Sequence, residues 1–171
     1  MGASGGVNTA SIRVAKLTGA RVLVVGSSAA KLDLARDLGA DGAIDRSRED
    51  DWSKAVFLAN GKQGVDVVVD NVGTTFMSSL RALRKGGRLL TVGTTGGRQF
   101  EIDNRYIFSR HLTIIGSTMS HLKDFKAVMD LVVAGRLKPI RDQVFDLKDA
   151  SSAQRRLESG EQLGKITLEI G

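Results

Sequence analysis

Short runs of consecutive apolar residues most strongly constrain the fold of this 171-residue chain. In the run Val67–Val69 three valines follow one another, so side chains on both faces of the expected strand must be covered. Such strands are typical of a parallel sheet with helices on both faces. Similar runs alternate along the chain with segments whose apolar residues recur at helical spacing. This alternation predicts an α/β fold with a doubly wound parallel sheet.

Periodicity also places the individual elements. The expected helices are Val7–Leu17, Leu32–Leu38, Trp52–Leu58 and Met77–Leu83. The expected strands are Arg21–Val25, Gly42–Ile44, Val65–Asp70, Arg88–Val92 and Leu112–Ile115. The pattern then changes to a tail with a helix at about Leu122–Ala134, an unassigned stretch near Pro139–Phe145, a helix near Ala150–Leu157 and a strand at Lys165–Ile170. We therefore expect two parts, residues 1–118 and residues 119–171.

Composition excludes several classes of protein. The chain has no cysteine, so it can form neither a disulfide nor a thiolate metal site, and only His111 and His121 could supply imidazole ligands. We expect no metal site. No apolar run approaches the roughly 18 residues that cross a bilayer, and the first residues do not resemble a signal peptide. We therefore expect a soluble, cytoplasmic protein without a membrane partner.

The net charge of +6 at pH 7 raises the question of a nucleic-acid partner. Basic residues are scattered singly or in pairs, and the cluster of Arg81, Arg84, Lys85 and Arg88 surrounds an expected turn at Gly86-Gly87. Aromatic residues, which would stack on bases, make up only 5% of the chain. The distribution is typical of a solvated surface. Recruitment of an anionic ligand is the second interpretation, and both are favoured over nucleic-acid binding.

A glycine-rich segment, Gly2–Asn8, leads directly into the first expected helix. Glycine lets the backbone approach a phosphate closely, and the start of the helix offers free N–H groups and the positive end of its dipole. In the G-x-G-x-x-G fingerprint of dinucleotide-binding loops, Ala3, Gly5 and Asn8 occupy the three glycine positions. Only the middle glycine is present. An ordinary glycine-rich loop therefore stays an alternative until the context is considered.

The context is the turn after the second expected element, where dinucleotide-binding domains place the residue that reads the ribose. The turn runs from Gly26 through Ser27 and Ser28 to Lys31 and contains no carboxylate. Its hydroxyls, helix start and ammonium group suit an additional phosphate, whereas an acid would repel it. The turn favours NADP(H) over NAD(H). The alternative is that Ser27 and Ser28 only cap the next helix, which does not exclude phosphate contact.

Several sequence blocks together extend through nearly the whole chain. They are Gly2–Val7, Ala35–Asp41, Gly64–Gly73, Gly86–Gly93, Leu112–Ser117 and Gly164–Leu168. In residue pattern and order they resemble the zinc-binding-dehydrogenase-like proteins of the medium-chain dehydrogenase/reductase superfamily. Within that superfamily they resemble the quinone oxidoreductase branch, which binds no zinc. The resemblance implies a Rossmann-type domain that binds NADP. It also implies a homodimer, because the family usually pairs its sixth strands, here Leu112–Ile115, across a twofold axis.

The resemblance further implies which residues hold the cofactor. The glycine loop lies under the pyrophosphate, and the turn after the strand Arg21–Val25 surrounds the 2'-phosphate. Arg46 lies near the adenine or that phosphate. Residues after the next strands flank the nicotinamide half at the carboxyl edge of the sheet. The expected cofactor-binding residues are Gly2, Ser4, Gly5, Gly6, Val7, Asn8, Gly26, Ser27, Lys31, Arg46, Asn71, Gly73, Val92, Gly93, Thr94, Thr95, Gly116, Ser117 and Thr118.

Two departures from the family pattern affect these expectations. The third fingerprint glycine, which allows close packing of helix on strand, is Asn8 here, so its side chain must be accommodated or must itself reach the cofactor. The fingerprint also normally follows a strand that is central in the order 3-2-1-4-5-6, whereas only Met1 precedes it. Without that strand two inner edges keep unpaired backbone groups, at about 1–3 kcal/mol for each buried one. We expect the isolated chain to fold poorly.

The family also carries an amino-terminal, barrel-like substrate domain onto which the tail folds back. Without that domain the apolar residues Leu122, Phe125, Met129 and Val132 of the tail would be partly exposed. We therefore expect the chain to be the carboxyl-terminal part of a larger enzyme. The alternative is a short protein whose missing strand comes from a partner chain or from a rearranged sheet.

The leading functional hypothesis is an NADPH-dependent oxidoreductase that reduces a small quinone or enone, or the cofactor-binding part of one. No catalytic residue is expected, because the cofactor carries the hydride. His111 is expected to be structural, His121 to be a cap or dipole neighbour, and Ser4 lacks a His/Asp constellation. The first alternative is a noncatalytic module that binds a nucleotide or a partner. A methyltransferase that uses S-adenosylmethionine is disfavoured, because Gly26 stands where an acid would bind the ribose.

Overall fold

The computed structural model describes residues 1–171. The helices are α1 (Gly6–Leu17), α2 (Ala29–Asp37), α3 (Trp52–Ala59), α4 (Phe76–Ala82), α5 (Asn104–Ser109), α6 (Leu122–Val133) and α7 (Ala150–Ser159), with a 3-10 turn at Leu147–Asp149. The strands are β1 (Leu23–Gly26), β2 (Gly42–Asp45), β3 (Val65–Asp70), β4 (Leu83–Thr91), β5 (Thr113–Gly116), β6 (Arg141–Asp146) and β7 (Lys165–Glu169).

All strand pairs are parallel, which confirms the predicted α/β class. β1 pairs with β2, β3 and β5 flank β4, and β6 pairs with β7 in the tail. The register sets Val25 opposite Ile44 in the first pair and Leu89 opposite Ile114 in the second sheet. Parallel strands need crossover connections, and those between the paired strands contain α2, α4, α5 and α7.

The main sheet is divided between β1 and β3. Each of these strands has a partner on one side only, β2 for β1 and β4 for β3. The prediction that a central strand is missing from the sheet agrees with this division. The expectation that both faces of Val65–Asp70 are covered is wrong in part, because Val67 is 41% exposed. The reason is that no strand pairs with β3 on the side away from β4, so the space beside that edge is open to solvent.

The core lies where helices pack on these strands, in three apolar clusters. Ile12 of α1 and Leu32 of α2 meet at β1, and Trp52 of α3 packs between β1 and α4. Leu80 and Leu89 join α4 to the three-stranded sheet and are fully buried. Burial of a side chain of this size contributes roughly 1.5–3 kcal/mol. The three clusters therefore hold the helices at fixed positions against the strands.

The predicted elements all occur, but some boundaries differ. The strand expected at Arg88–Val92 begins earlier, at Leu83, because Leu83 pairs with Val65 before an irregularity shifts the register. The turn expected at Gly86-Gly87 is not present as such, because both glycines lie within β4, inside that irregularity. The six-residue helix α5 was not predicted. Its sequence signal is Asp103, whose carboxylate caps the helix by accepting a hydrogen bond from the Arg105 N–H.

The tail contains α6, β6, β7 and α7. The stretch left unassigned near Pro139–Phe145 contains β6, and α7 ends at Gly160, whose φ of +67° is the left-handed cap geometry that favours glycine. Arg156 of α7 pairs with Asp142 of β6 at 2.5 Å. No helix in the structure is both long enough and apolar enough to span a bilayer. The division into residues 1–118 and 119–171 stays a prediction.

The amphipathic helix α6 leaves apolar side chains uncovered, as expected. Leu122 is 68% exposed and Phe125 is 55% exposed. Met129 is also exposed, whereas Val132 is half-buried. The helix therefore presents an apolar face that no other part of the chain covers.

Candidate functional site

The glycine loop curls over the start of α1. Gly2 has a φ of +87°, and a Cβ on it would lie 2.5 Å from Nδ2 of Asn8. A Cβ on Gly5 would lie 3.3 Å from the same nitrogen. Asn8 is buried at 8% exposure, so its side chain fills the space that the missing third glycine would leave open. The loop therefore accommodates Asn8 by keeping glycine at the two positions that the side chain touches.

The amino end of α1 is suited to an anion. Gly5 is the N-cap residue and no side chain caps the helix, so the first N–H groups have no side-chain acceptor. Ser4 is buried, and its carbonyl oxygen accepts a hydrogen bond from the Gly164 N–H of the tail. The next tail residue, Lys165, lies with its aliphatic stem against Gly6, where a Cβ would come within 2.7 Å of Cδ. The tail thus places a lysine beside a helix end that favours negative charge.

A cavity of about 180 Å³ opens beside this loop at the carboxyl edge of the sheet. It brings together many of the residues expected to bind the cofactor, from loops that follow four of the strands or the start of the chain. The expected residues on its wall are Gly2, Ser4, Gly5, Asn8, Gly26, Ser27, Lys31, Arg46, Asn71 and Thr95. Met1, Ala3 and Val72 complete the wall.

The charges on the cavity wall have one sign. Lys31 and Arg46 are the charged side chains on it, and no aspartate or glutamate lines it. Ser28 is the N-cap residue of α2 but forms no side-chain cap bond, so the reading in which the serines only cap this helix is not supported. A Cβ on Gly26 would lie 2.7 Å from Cδ2 of Leu32, so a larger residue is excluded there without movement. The turn and Arg46 together offer two cations, hydroxyls and a helix start to a single ligand.

Asp70, at the end of β3, fixes the loop that carries Asn71. Its carboxylate is 1% exposed and accepts hydrogen bonds from the hydroxyls of Ser79 at 2.6 Å and Thr75 at 2.9 Å. It also accepts from the backbone N–H groups of Val72 at 2.8 Å and Gly73 at 3.3 Å. Burial raises the pKa of Asp70, but the hydrogen bonds together outweigh burial and hold the pKa below its usual range.

Asn71 has a buried polar atom that the protein leaves without a partner. Its Oδ1 is inaccessible to solvent and accepts no hydrogen bond from the chain, although Asn71 lines the cavity. Buried acceptors are nearly always paired, so this oxygen is an available acceptor for a donor on a ligand. Together with the glycine loop, it shows that the residues fit a dinucleotide cofactor.

The loop after β4 packs against the loop after β3. The Thr95 N–H and hydroxyl both donate to the Asn71 carbonyl oxygen, at 3.1 and 3.0 Å. A Cβ on Gly73 would lie 2.6 Å from the Gly97 carbonyl oxygen, and one on Gly93 would lie 3.2 Å from the Asn71 carbonyl oxygen. Glycine is therefore required for this close approach of two loops.

Other expected residues lie along the same edge but do not line the cavity. They are Gly6, Val7, Gly73, Val92, Gly93, Thr94, Gly116, Ser117 and Thr118. Ser117 stays at the sheet edge, where its N–H donates to the Thr91 carbonyl oxygen at 3.0 Å. Val7 is 47% exposed on α1. Contact of these residues with a cofactor stays a prediction.

Sequence reasoning missed two residues of this site. Lys165 was read only as the start of the last strand, although it follows Gly164 in a block that carried the family resemblance. Asp70 was read only as a strand end, but its position before Asn71 and near Thr75 and Ser79 is the signal for a carboxylate that organises a turn.

Comparison with known proteins gives the class. The family model described as zinc-binding dehydrogenase matches residues 6–134. The chain therefore belongs to the zinc-binding dehydrogenase family, and the predicted resemblance is confirmed.

Two curated relatives illustrate the range of the family. The chain is 30% identical to the crotonyl-CoA reductase of Streptomyces avermitilis, over 96% of this chain and 41% of the relative. It is 32% identical to the NAD-dependent alcohol dehydrogenase of Sulfolobus acidocaldarius, over 99% of this chain and 49% of the relative. The chain thus spans less than half the length of these relatives. Both are oxidoreductases.

Solved structures agree with this class. An NAD-dependent alcohol dehydrogenase superposes with a TM-score of 0.93 at 36% identity, over 99% of this chain and 50% of that one. A 2-octenoyl-CoA carboxylase reductase in complex with NADP and 2-octenoyl-CoA gives 0.89 at 30% identity, over 99% and 43%. A quinone oxidoreductase of Pseudomonas syringae gives 0.84 at 26% identity, over 98% and 55%.

The family name refers to zinc, but the residues of this chain do not fit a zinc ion. Zinc sites use cysteine, histidine and carboxylate ligands in close groups. The chain has no cysteine, and no three of its histidine, aspartate or glutamate side chains converge closely enough to hold a metal ion.

Proposed function

We propose that this chain is the NADP(H)-binding part of an oxidoreductase that transfers hydride to or from a small, electron-poor substrate. One observation carries the proposal. The cavity beside the glycine loop contains the cations Lys31 and Arg46, the hydroxyl of Ser27, and no carboxylate. An acid at this place would bind the ribose hydroxyls of NAD and repel a 2'-phosphate, whereas cations attract that phosphate.

Each part of the site has a role in holding the cofactor. The N–H groups at the start of α1 bind the pyrophosphate, and the glycines let the backbone approach it. Lys165, beside Gly6, adds positive charge at the same place. Lys31 and Arg46 bind the 2'-phosphate, and Asn71 uses its unpaired Oδ1 to accept a hydrogen bond from the cofactor. NADPH, when bound, supplies a hydride from its nicotinamide ring.

The residues predicted for the nicotinamide half are those after β3, β4 and β5. Gly73, Val92, Gly93 and Thr94 belong to the two loops that pack together there, and Gly116–Thr118 follow the neighbouring strand. We assign them contact with the nicotinamide half because loops after adjacent parallel strands meet at one edge. No side chain of this chain is assigned as an acid or base.

The acceptor that we propose is a quinone or an enone-like compound. Crotonyl-CoA reductase and the 2-octenoyl-CoA enzyme are named for unsaturated thioesters, in which a carbonyl group makes the double bond electron-poor. The quinone oxidoreductase is named for another electron-poor acceptor. A family resemblance to alcohol dehydrogenases is equally present, so the acceptor class is tested separately from cofactor binding.

We also propose a homodimer formed through the edge of β5. All four residues of β5 are exposed, and the strand has a neighbour on one side only. Ile114 and Ile115 are 38% and 40% exposed. An apolar, unpaired edge strand is suited to pairing with a second copy of itself.

The cofactor assignment is tested with the substitution Lys31→Glu and calorimetric titration of NADPH and NADH. Loss of a hydrogen bond to a charged group costs about 1.5–3 kcal/mol, so NADPH affinity should fall at least about tenfold. NADH affinity should be unchanged or higher. The matched control is Lys123→Glu, which makes the same charge change at an exposed position of α6 and should leave both affinities unchanged. Equal losses of NADPH and NADH affinity in Lys31→Glu would show that Lys31 does not read the 2'-phosphate.

A further inference from the structure

The tail reaches the glycine loop through one short turn, Leu163–Lys165. The Gly164 N–H donates a hydrogen bond to the Ser4 carbonyl oxygen at 2.9 Å, and the Lys165 N–H donates to the Ile140 carbonyl oxygen at 2.8 Å. The first bond ties the turn to the loop that begins the cofactor site. The second ties it to the residue that precedes β6. Two backbone hydrogen bonds thus fix the turn between the glycine loop and the tail sheet.

The turn has little freedom to take another path. Gly164 has a φ of +119°, and a Cβ on it would lie 2.6 Å from the Ile140 carbonyl oxygen, so only glycine fits this approach. The next residue, Lys165, begins β7 and lays its aliphatic stem on Gly6, the first residue of α1. The path of the turn therefore determines whether Lys165 stands beside the start of α1.

A buried carboxylate holds the near end of the turn. The side chain of Asp142, in β6, is 7% exposed and accepts a hydrogen bond from the Leu163 N–H at 3.0 Å. It also accepts two hydrogen bonds from the guanidinium group of Arg156, from Nε at 2.5 Å and from Nη2 at 2.9 Å. The bonds from Arg156 hold the pKa of Asp142 below its usual range and outweigh burial, which raises it. The charged carboxylate thus joins β6, α7 and the turn.

The ion pair of Asp142 and Arg156 differs from the other ion pairs of the chain. It is the least exposed of them, with Arg156 at 25% and Asp142 at 7%. A buried pair adds little net stability, because desolvation of both charges offsets their attraction, whereas a two-point contact with a guanidinium fixes orientation. Lys165 itself takes part in no ion pair, so its ammonium group is available to an anion at the start of α1.

We infer that Asp142 and Arg156 are positioning residues for the cofactor, which hold the Leu163–Lys165 turn so that Lys165 stands where the pyrophosphate binds. The inference rests on the proposed function, because that proposal places a pyrophosphate at the start of α1. Neither Asp142 nor Arg156 lines the cavity, so both act through Lys165. The pyrophosphate is common to NADPH and NADH, so the effect is the same for the two, unlike that of Lys31.

The test compares Asp142→Ala, Lys165→Ala and the double variant of the full 171-residue chain by calorimetric titration with NADPH and NADH. Lys165→Ala removes a charged donor and should weaken both dinucleotides about tenfold. Asp142→Ala should cause most of the same loss. The double variant should bind no more than about twofold more weakly than Lys165→Ala, because the two residues act through one contact.

A smaller ligand separates positioning from general support of the fold. Adenosine 2'-monophosphate carries the 2'-phosphate but no pyrophosphate, so its affinity in NMR titrations should be the same for wild type and all three variants. A merely structural role of Asp142 would weaken this ligand together with the dinucleotides. The matched control is Asp146→Ala, which breaks the exposed ion pair with Lys148 on the same strand and should leave all three affinities unchanged.

A milder variant decides the matter if circular dichroism shows that Asp142→Ala does not fold. Arg156→Lys keeps the positive charge but loses the two-point contact, so it should weaken NADPH and NADH equally and leave adenosine 2'-monophosphate unaffected. Unchanged dinucleotide binding in the folded variants, equal weakening of all three ligands, or losses that multiply in the double variant would overturn the inference alone. If the wild type bound neither dinucleotide, the proposed function would fail, and the inference with it.

Discussion

Replacing Asp70 should show most clearly that buried hydrogen bonds support the loop of Asn71. The substitution Asp70→Ala deletes a carboxylate that accepts from four donors, the hydroxyls of Ser79 and Thr75 and the N–H groups of Val72 and Gly73. Ser79 is fully buried, so its hydroxyl cannot turn to water. Each buried group left unpaired costs about 1–3 kcal/mol.

The free energy of unfolding should therefore fall by roughly 2–4 kcal/mol, because Ser79 is the fully buried donor, whereas the other donors can in part hydrogen-bond to water. This is a large share of a typical free energy of unfolding of about 5–15 kcal/mol. The assay is urea unfolding followed by circular dichroism, with the midpoint and slope compared between variants. Asp70→Asn keeps one acceptor oxygen and should lose less.

The matched control is Asp66→Ala on the same strand. Asp66 is paired with Arg84 at 2.5 Å, but its side chain is 72% exposed and that of Arg84 is 49% exposed. Exposed ion pairs contribute about 0–1 kcal/mol. If Asp70→Ala lost no more stability than Asp66→Ala, the reasoning that Asp70 holds the loop of Asn71 through buried hydrogen bonds would be refuted.

Other predictions follow from the same structure. The pKa of Asp70 is lower in the folded chain than in the unfolded one. The free energy that the Asp70 carboxylate adds to folding is therefore present above about pH 4 and is lost as pH falls through the folded pKa. In acid unfolding curves, the difference in unfolding free energy between wild type and Asp70→Ala should shrink. Gly64→Ala should cost more stability than Gly19→Ala in thermal unfolding, since both have a φ of +76° but only at Gly64 would a Cβ meet backbone atoms, at 2.7 Å; equal costs would remove the argument from close approach. Ile114→Lys should shift the sedimentation of the chain toward the monomer by placing a charge on the β5 edge, and an unchanged dimer would show that the interface lies elsewhere.

Much of the fold was predictable because its signals are local. Consecutive valines in Val65–Asp70 predicted the bounds of β3 correctly, and the helix expected near Ala150–Leu157 is found as α7. The start of β4 at Leu83 was not predictable in this way, since it depends on pairing with Val65 across a register shift. Helix α5 was too short for periodicity to reveal it. Pairing and short capped helices depend on tertiary contacts that single-sequence patterns do not contain.

The candidate site was predictable to the extent that its residues follow strands. The loop at Gly5 and the turn at Lys31 could be placed because parallel strands bring their carboxyl ends to one edge. The contribution of Lys165 could not be derived in this way, because it comes from the tail and approaches Gly6 only through the tertiary fold. The burial of Asn8 over Gly2 likewise required the geometry of the loop.

Titration of the isotope-labelled chain with NADPH, followed by amide chemical shifts in NMR spectra, tests the central claim most directly. The account predicts that the largest shifts occur at Gly5, Ser27 and Thr95, and that Phe125 on the exposed face of α6 is unaffected. Largest shifts at Phe125 or at Val67 on the unpaired edge of β3, with Gly5 and Ser27 unchanged, would contradict the placement of the dinucleotide at the carboxyl edge of the sheet.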